Sequence, residues 1–174
     1  IAIGAVILQV ALNHLGPTAV AAYAAAQKIE SIAMMPMMSF GIAMAAYTAQ
    51  NYGARKFHRI GEGVRKCSYM SLAFAVAAGA GLIAFGPSLL ALFVGADERE
   101  VISLGQEYLI VNGVCYWILS FLFIFRYTLQ GLGQSVVPTI AGIMELLMRT
   151  AAALFLCDWL GYLGACLANP MAWI

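Results

Sequence analysis

Charge is scarce in this sequence: Asp, Glu, Lys and Arg make up 10% of its 174 residues, against about 25% in ordinary soluble domains. The apolar residues reach 63% and the mean hydropathy is +0.88. A water-soluble fold of this length would leave much of that apolar excess facing solvent, whereas lipid accepts an apolar exterior without penalty. Net charge is only +1, and with neither a basic stripe nor an acidic tail the sequence gives nucleic acid nothing to bind. H-E-x-x-H, G-x-S-x-G and the Walker phosphate loop are absent, so no enzymatic activity is expected.

Cysteine is sparse too. Cys67, Cys115, Cys157 and Cys166 sit in apolar surroundings without C-x-x-C or Cys/His spacing, which makes them packing residues rather than metal ligands or a redox pair. Cys157 and Cys166 are near enough in sequence to pair across a short loop, but nothing requires it. His14 and His58 have no partner at ligand spacing, and no cofactor is expected. The chain opens on Ile1 with no methionine or basic n-region and ends inside an apolar run. Its first and last apolar runs are shorter than the ~20 residues that span a bilayer. The expectation is an internal piece of a longer protein.

The apolar pattern predicts an all-α, polytopic transmembrane bundle of six helices, truncated at both ends: about 1–13, 18–51, 67–94, 101–130, 136–157 and 161–174. Gly16-Pro17 opens the second helix, Pro36 is its expected kink, and Gly86-Pro87 should break the third near its far end. The strongly polar stretch is 53–66, with Arg55, Lys56, Arg59, Arg65 and Lys66 against Glu62. It reads as a basic loop at a membrane surface, and the excess of Lys and Arg places it on the cytoplasmic side, with the 14–17 and 95–100 loops outside. Arg126 then lies toward the inner end of the fourth helix.

Charges at membrane depth are costly and are usually retained for a purpose. Glu145 and Arg149 are four residues apart on the fifth helix and share a face, so they are expected either to form a buried ion pair or to serve as a cation-coupling carboxylate with its basic neighbour. Lys28 and Glu30, two apart and next to Gln27, point to different faces. Together with Gln9 and Asn13 of the first helix and Met34 and Met38 beside Pro36, they are candidates to line a cavity. Helix packing is the plainer role for the methionines, and interhelical glue for Gln9 and Asn13.

An ordered set of short motifs resembles the multidrug and toxic compound extrusion (MATE) transporters: Gly4-Ala5-Val6-Ile7-Leu8-Gln9 with Asn13; Ala21-Ala22-Tyr23 with Gln27-Lys28-Ile29-Glu30; Gln50-Asn51-Tyr52-Gly53-Ala54; Arg126 with Leu129-Gln130-Gly131-Leu132-Gly133; Glu145 with Arg149; and Asn169-Pro170-Met171-Ala172-Trp173. The resemblance spans nearly the whole chain and is to the second, C-terminal six-helix lobe. It implies a twelve-helix antiporter of two pseudo-symmetric lobes in the cytoplasmic membrane. Such an antiporter exports organic, often cationic compounds in exchange for Na⁺ or H⁺, works as a monomer, and has the lipid bilayer, the missing N-terminal lobe and a small organic substrate as partners. One departure stands out: positions 111–130 carry no Asp or Glu, where some branches of the family have an acid. That shifts the coupling carboxylate to Glu145 or to the missing lobe. A lipid-linked saccharide flippase of the same superfamily is the nearest alternative, and a multi-pass enzyme or a structural membrane subunit a more distant one.

Overall fold

The computed structural model describes residues 2–95 and 97–173, except for the side chains of residues 2–7 and 158. Positions 1, 96 and 174 of the expected first helix, outer loop and last helix lie outside the described residues. Among the described residues every element is helical: α1 (Ala2–His14), α2 (Pro17–Gly53), α3 (Phe57–Val94), α4 (Arg99–Gly131), α5 (Val136–Ala151), a π-helical turn (Ala152–Leu156), α6 (Cys157–Leu160) and α7 (Tyr162–Trp173).

Four helical stretches are long and apolar enough to cross a membrane: Pro17–Gly53, Phe57–Val94, Arg99–Gly131 and Val136–Leu156, with mean hydropathies of 1.4 to 2.0. Bulky apolar side chains such as Ile32, Phe85, Leu92, Trp117 and Phe155 point out of the bundle. In water that surface would be a liability, whereas in a bilayer it faces acyl chains. The chain is a multi-pass membrane protein.

Because lipid supplies little hydrophobic drive between helices, small residues must let them approach closely. At the α3/α4 crossing a Cβ on Gly79 would lie 2.5 Å from the Gly113 carbonyl, and at the α2/α4 crossing one on Gly131 would lie 2.5 Å from the Ala45 carbonyl. Ser120 Oγ donates to Ser71 Oγ at 3.0 Å across the α3/α4 seam. The buried core runs through Ala22, Ala26 and Met37 of α2, Leu82 and Leu90 of α3, Tyr108 and Tyr116 of α4, and Ala165 and Cys166 of α7. In this arrangement α4 is the central post, touched by α2, α3 and α7.

Two expectations need correction. The basic segment 53–66 is not a loop, because only residues 54–56 lie outside helix and α3 begins at Phe57. At 100° per residue, His58, Arg59, Glu62, Arg65 and Lys66 fall on one arc of about 120°. That arc is exposed, with Lys66 Nζ on Glu62 Oε1 at 2.7 Å, while Ile60 is buried and Gly63 lies under the Tyr47 ring. The high charge density is one exposed face of the first two to three turns of α3.

The expected break at Gly86-Pro87, second, is absent: α3 continues through Pro87, as α2 does through Pro36. At Pro87 the reason is visible. Proline has no N–H for the carbonyl four residues back, Ile83, and Gln106 of α4 supplies the missing donor, Nε2 to Ile83 O at 2.9 Å. Gly86 makes this possible, since a Cβ there would run into Gln106 Oε1.

Candidate functional site: a buried carboxylate between α2, α4 and α7

Glu30 is 3% exposed, on the far side of α2 from the exposed Lys28. The register accounts for this: Ala22, Ala26, Ile29 and Glu30 share the buried stripe of α2 that meets α4. Opposite it stands Tyr108, fully buried, whose hydroxyl donates to Glu30 Oε2. Asn169 Nδ2, from α7, donates to the same hydroxyl at 2.7 Å. One turn along α4, the fully buried Asn112 gives its Nδ2 to Tyr108 O at 3.0 Å and to Cys166 O at 3.4 Å. The Tyr23 ring meets that of Tyr108 edge-on, with centroids 5.0 Å apart.

This cluster is rich in acceptors and short of positive charge. Glu30 Oε1 and Asn112 Oδ1 are buried and accept no hydrogen bond, and the Tyr116 hydroxyl is likewise without a partner. An ionised carboxylate at such depth is costly unless a cation or several donors compensate it. Arg149 of α5 is close enough to act on Glu30 through its charge, yet the two make no salt bridge, and Arg149 Nε is itself buried without an acceptor. Chemically, then, the site offers the unpaired carboxylate oxygen Glu30 Oε1 to a proton or a small cation. Among the described residues no cluster of three or more His, Cys, Asp or Glu is built to hold a metal permanently.

The expected Glu145–Arg149 ion pair is replaced by another. Glu145 Oε1 takes Arg126 Nη2 of α4 at 2.5 Å, with the two side chains only 14% and 19% exposed. Position i,i+4 on one helix makes a pair possible, but a guanidinium reaching from the facing helix neutralises Glu145 more directly. Glu145 borders a cavity of about 470 Å³ walled by Leu122, Met144, Met148, Met171 and Trp173. Glu145 is therefore committed to Arg126, and among the described residues Glu30 is the fully buried carboxylate that makes no ion pair.

Of the cavity candidates, Gln9 and Asn13 are exposed and bonded to each other, Nε2 to Oδ1 at 3.3 Å. Gln27, Lys28 and Met38 are exposed, and Met34 is half-buried against the core. Glu30 alone of the set enters a buried polar cluster. Tyr108 and Asn112, which complete it, were not foreseen, although their i,i+4 spacing in an otherwise apolar helix was a readable signal.

The family model MatE matches residues 2–154. The chain belongs to the MatE family. A curated relative, "Probable multidrug resistance protein YoeA" of Bacillus subtilis (strain 168), is 26% identical over 135 residues, which are 78% of this chain and 29% of the relative. The chain thus spans less than a third of that relative's length. Within this MatE chain the family match covers α1 to α5, including Glu30, Tyr108, Asn112 and the Arg126–Glu145 pair, while Asn169 of α7 lies beyond it.

Proposed function

We propose that this chain is the C-terminal lobe of a secondary antiporter in the cytoplasmic membrane that exports organic, often cationic compounds in exchange for Na⁺ or H⁺, and that Glu30 carries the coupling cation. Family membership supports the transport reading, and the relative's description as a multidrug resistance protein supports the class of cargo. The observation that carries the coupling assignment is the burial of Glu30 with no ion-pair partner. At membrane depth such a carboxylate favours whichever state neutralises it, so loading a proton or Na⁺ changes the energetics of the closed core. A single ligand can then bias the lobe between its two access states, as alternating access requires.

Exchange of one cation for one monovalent organic cation moves no net charge. A tenfold ion gradient then supplies about 1.4 kcal/mol, enough for about tenfold accumulation of cargo outside. The test is efflux of ethidium from cells expressing the full-length protein, with Na⁺ and pH gradients imposed separately, for wild type, Glu30→Gln and Glu145→Gln. Efflux should follow one gradient, lose that dependence in Glu30→Gln and keep it in Glu145→Gln. Gradient-driven efflux surviving intact in a well-folded Glu30→Gln would move coupling to the other lobe. No efflux under either gradient, with translocation of a lipid-linked saccharide instead, would favour the flippase.

A further inference from the structure

The exposed charged arc at the start of α3 runs on into an apolar one. His58, Arg59, Glu62, Arg65 and Lys66 span about 120° of the helix, and at 100° per residue Tyr69, Val76, Ala80 and Ile83 fall within the same arc. All four are exposed, Tyr69 at 68% and Val76 at 60%. One face of α3 thus carries bases at its end and apolar side chains beyond them, with an amphipathic tyrosine where the two meet. Tyr52 and Phe57 pack edge-on at the same end, ring centroids 5.7 Å apart and both exposed, as aromatic rings do at headgroup level. With Arg55 and Lys56 of the connection, five bases stand against the single acid Glu62. Glu62 takes Lys66, while Arg59 and Arg65 make no salt bridge among the described residues.

Further along that face, α3 and α4 form an apolar groove of about 240 Å³, walled by Val76, Ile83 and Trp117 over the buried Gly79 and Gly113. At 1.5 Å per residue, Val76 lies about 15 Å along α3 from Lys66, and Gly79 about 20 Å. Half of a hydrocarbon core ~30 Å thick is about 15 Å. An acyl chain whose headgroup sits at the bases therefore reaches the groove. A soluble anion would use the bases and leave the groove empty, and a neutral lipid would use the groove and ignore the bases. Together they fit one amphiphile with an anionic head. Basic residues that only set orientation need no common face, whereas Arg59, Arg65 and Lys66 share the face of α3 that meets the acyl chains.

We propose that this face of α3 is a binding site for an anionic phospholipid, its phosphate held by Arg59, Arg65 and Lys66 and one acyl chain laid in the α3/α4 groove. The paired N–H groups of a guanidinium match phosphate oxygens, which a phosphatidylcholine also carries, so selection comes from the net negative charge of the head. Glu62 opposes that selection by holding Lys66. The site is separate from Glu30 and does not depend on the transport reading. Its test uses purified full-length protein in mixed micelles, with dioleoylphosphatidylglycerol or dioleoylphosphatidylcholine brominated at the double bond. Trp117 is 51% exposed in the groove, and a brominated chain in contact with it quenches its fluorescence, read as the difference between wild type and Trp117→Phe.

Phosphatidylglycerol should quench Trp117 at about one-tenth of the mole fraction that phosphatidylcholine needs, the scale set by one or two bases acting on one added negative charge. That preference should fall to near unity in the triple variant Arg59→Gln/Arg65→Gln/Lys66→Gln and rise in Glu62→Gln. All four positions are exposed, so the variants test binding rather than folding. Equal quenching by the two lipids in wild type overturns the inference, as does a preference that the triple variant retains. Trp117 quenched by neither lipid overturns it too, and a dimeric mass in that case assigns the face to a second copy of the chain. Loss of the preference on adding inorganic phosphate at constant ionic strength assigns the bases to a free anion and likewise overturns it.

Discussion

Gln106 donates to the one carbonyl in α3 that Pro87 deprives of its helical partner, and this pairing can be tested as a thermodynamic cycle. Gln106 Nε2 lies 2.9 Å from Ile83 O. Replacing Gln106 with Leu leaves that carbonyl without a donor at a helix–helix contact. An orphaned buried polar group costs about 1–3 kcal/mol, while interhelical hydrogen bonds in membranes average about 0.6 and reach about 1.7 kcal/mol. The expected loss for Gln106→Leu is thus about 1 kcal/mol. Pro87→Ala restores a backbone N–H for Ile83, so in that background the same substitution should cost close to nothing. The coupling energy between positions 87 and 106 should therefore be about 1 kcal/mol, measured by reversible unfolding of the full-length protein in mixed micelles. Strictly additive single and double variants would refute the claim that Gln106 satisfies the proline-released carbonyl.

Other consequences follow from the same geometry. Arg126→Gln should destabilise the protein by about 1–3 kcal/mol by stranding Glu145, and adding Glu145→Gln should recover part of that loss; a double variant worse than the single one would remove the pair from the account. Arg149→Gln, by contrast, should leave the Glu145 environment unchanged, as read from accessibility of a cysteine placed at Met148 of the adjoining cavity. Gly79→Ala should cost about 1–3 kcal/mol because its Cβ would sit 2.5 Å from the Gly113 carbonyl. Gly81→Ala, with nothing within 4 Å, should be neutral or stabilising by up to about 1 kcal/mol, and the two thermal melts measured side by side decide the matter. Residues 1–174 expressed alone should export no ethidium, since alternating access needs a second lobe; efflux from such cells would contradict the two-lobe reading.

Much of this architecture was readable from hydropathy and punctuation. Runs of apolar residues between Gly16-Pro17, the 131–135 turn and Gly161 gave the helices, because lipid requires long uninterrupted spans. Periodicity resolved less where two explanations competed. Five basic residues in the 53–66 segment resemble a loop when counted, yet Arg59, Arg65 and Lys66 share one face when placed on a wheel, and α3 carries those three while Arg55 and Lys56 stay in the 54–56 connection. The Glu145–Arg149 spacing is a valid intrahelical pair, yet no sequence pattern states that α4 delivers Arg126 to the same carboxylate. Glu30 could be assigned a face different from that of Lys28, but its partner Tyr108 is 78 positions away and Asn169, which bonds that tyrosine, 139, and tertiary contact alone unites them. The roles of Gln106 and Asn112 were hidden for the same reason: each donates to a carbonyl on another helix, Ile83 and Cys166.

The central claim is that Glu30 takes up the coupling cation. Its most direct test is cation binding to purified full-length protein, wild type against Glu30→Gln, followed as protons released and as radiolabelled Na⁺ retained per molecule. The account predicts that the variant loses one bound cation equivalent while remaining folded and able to bind ethidium. An unchanged stoichiometry and affinity in Glu30→Gln would contradict it.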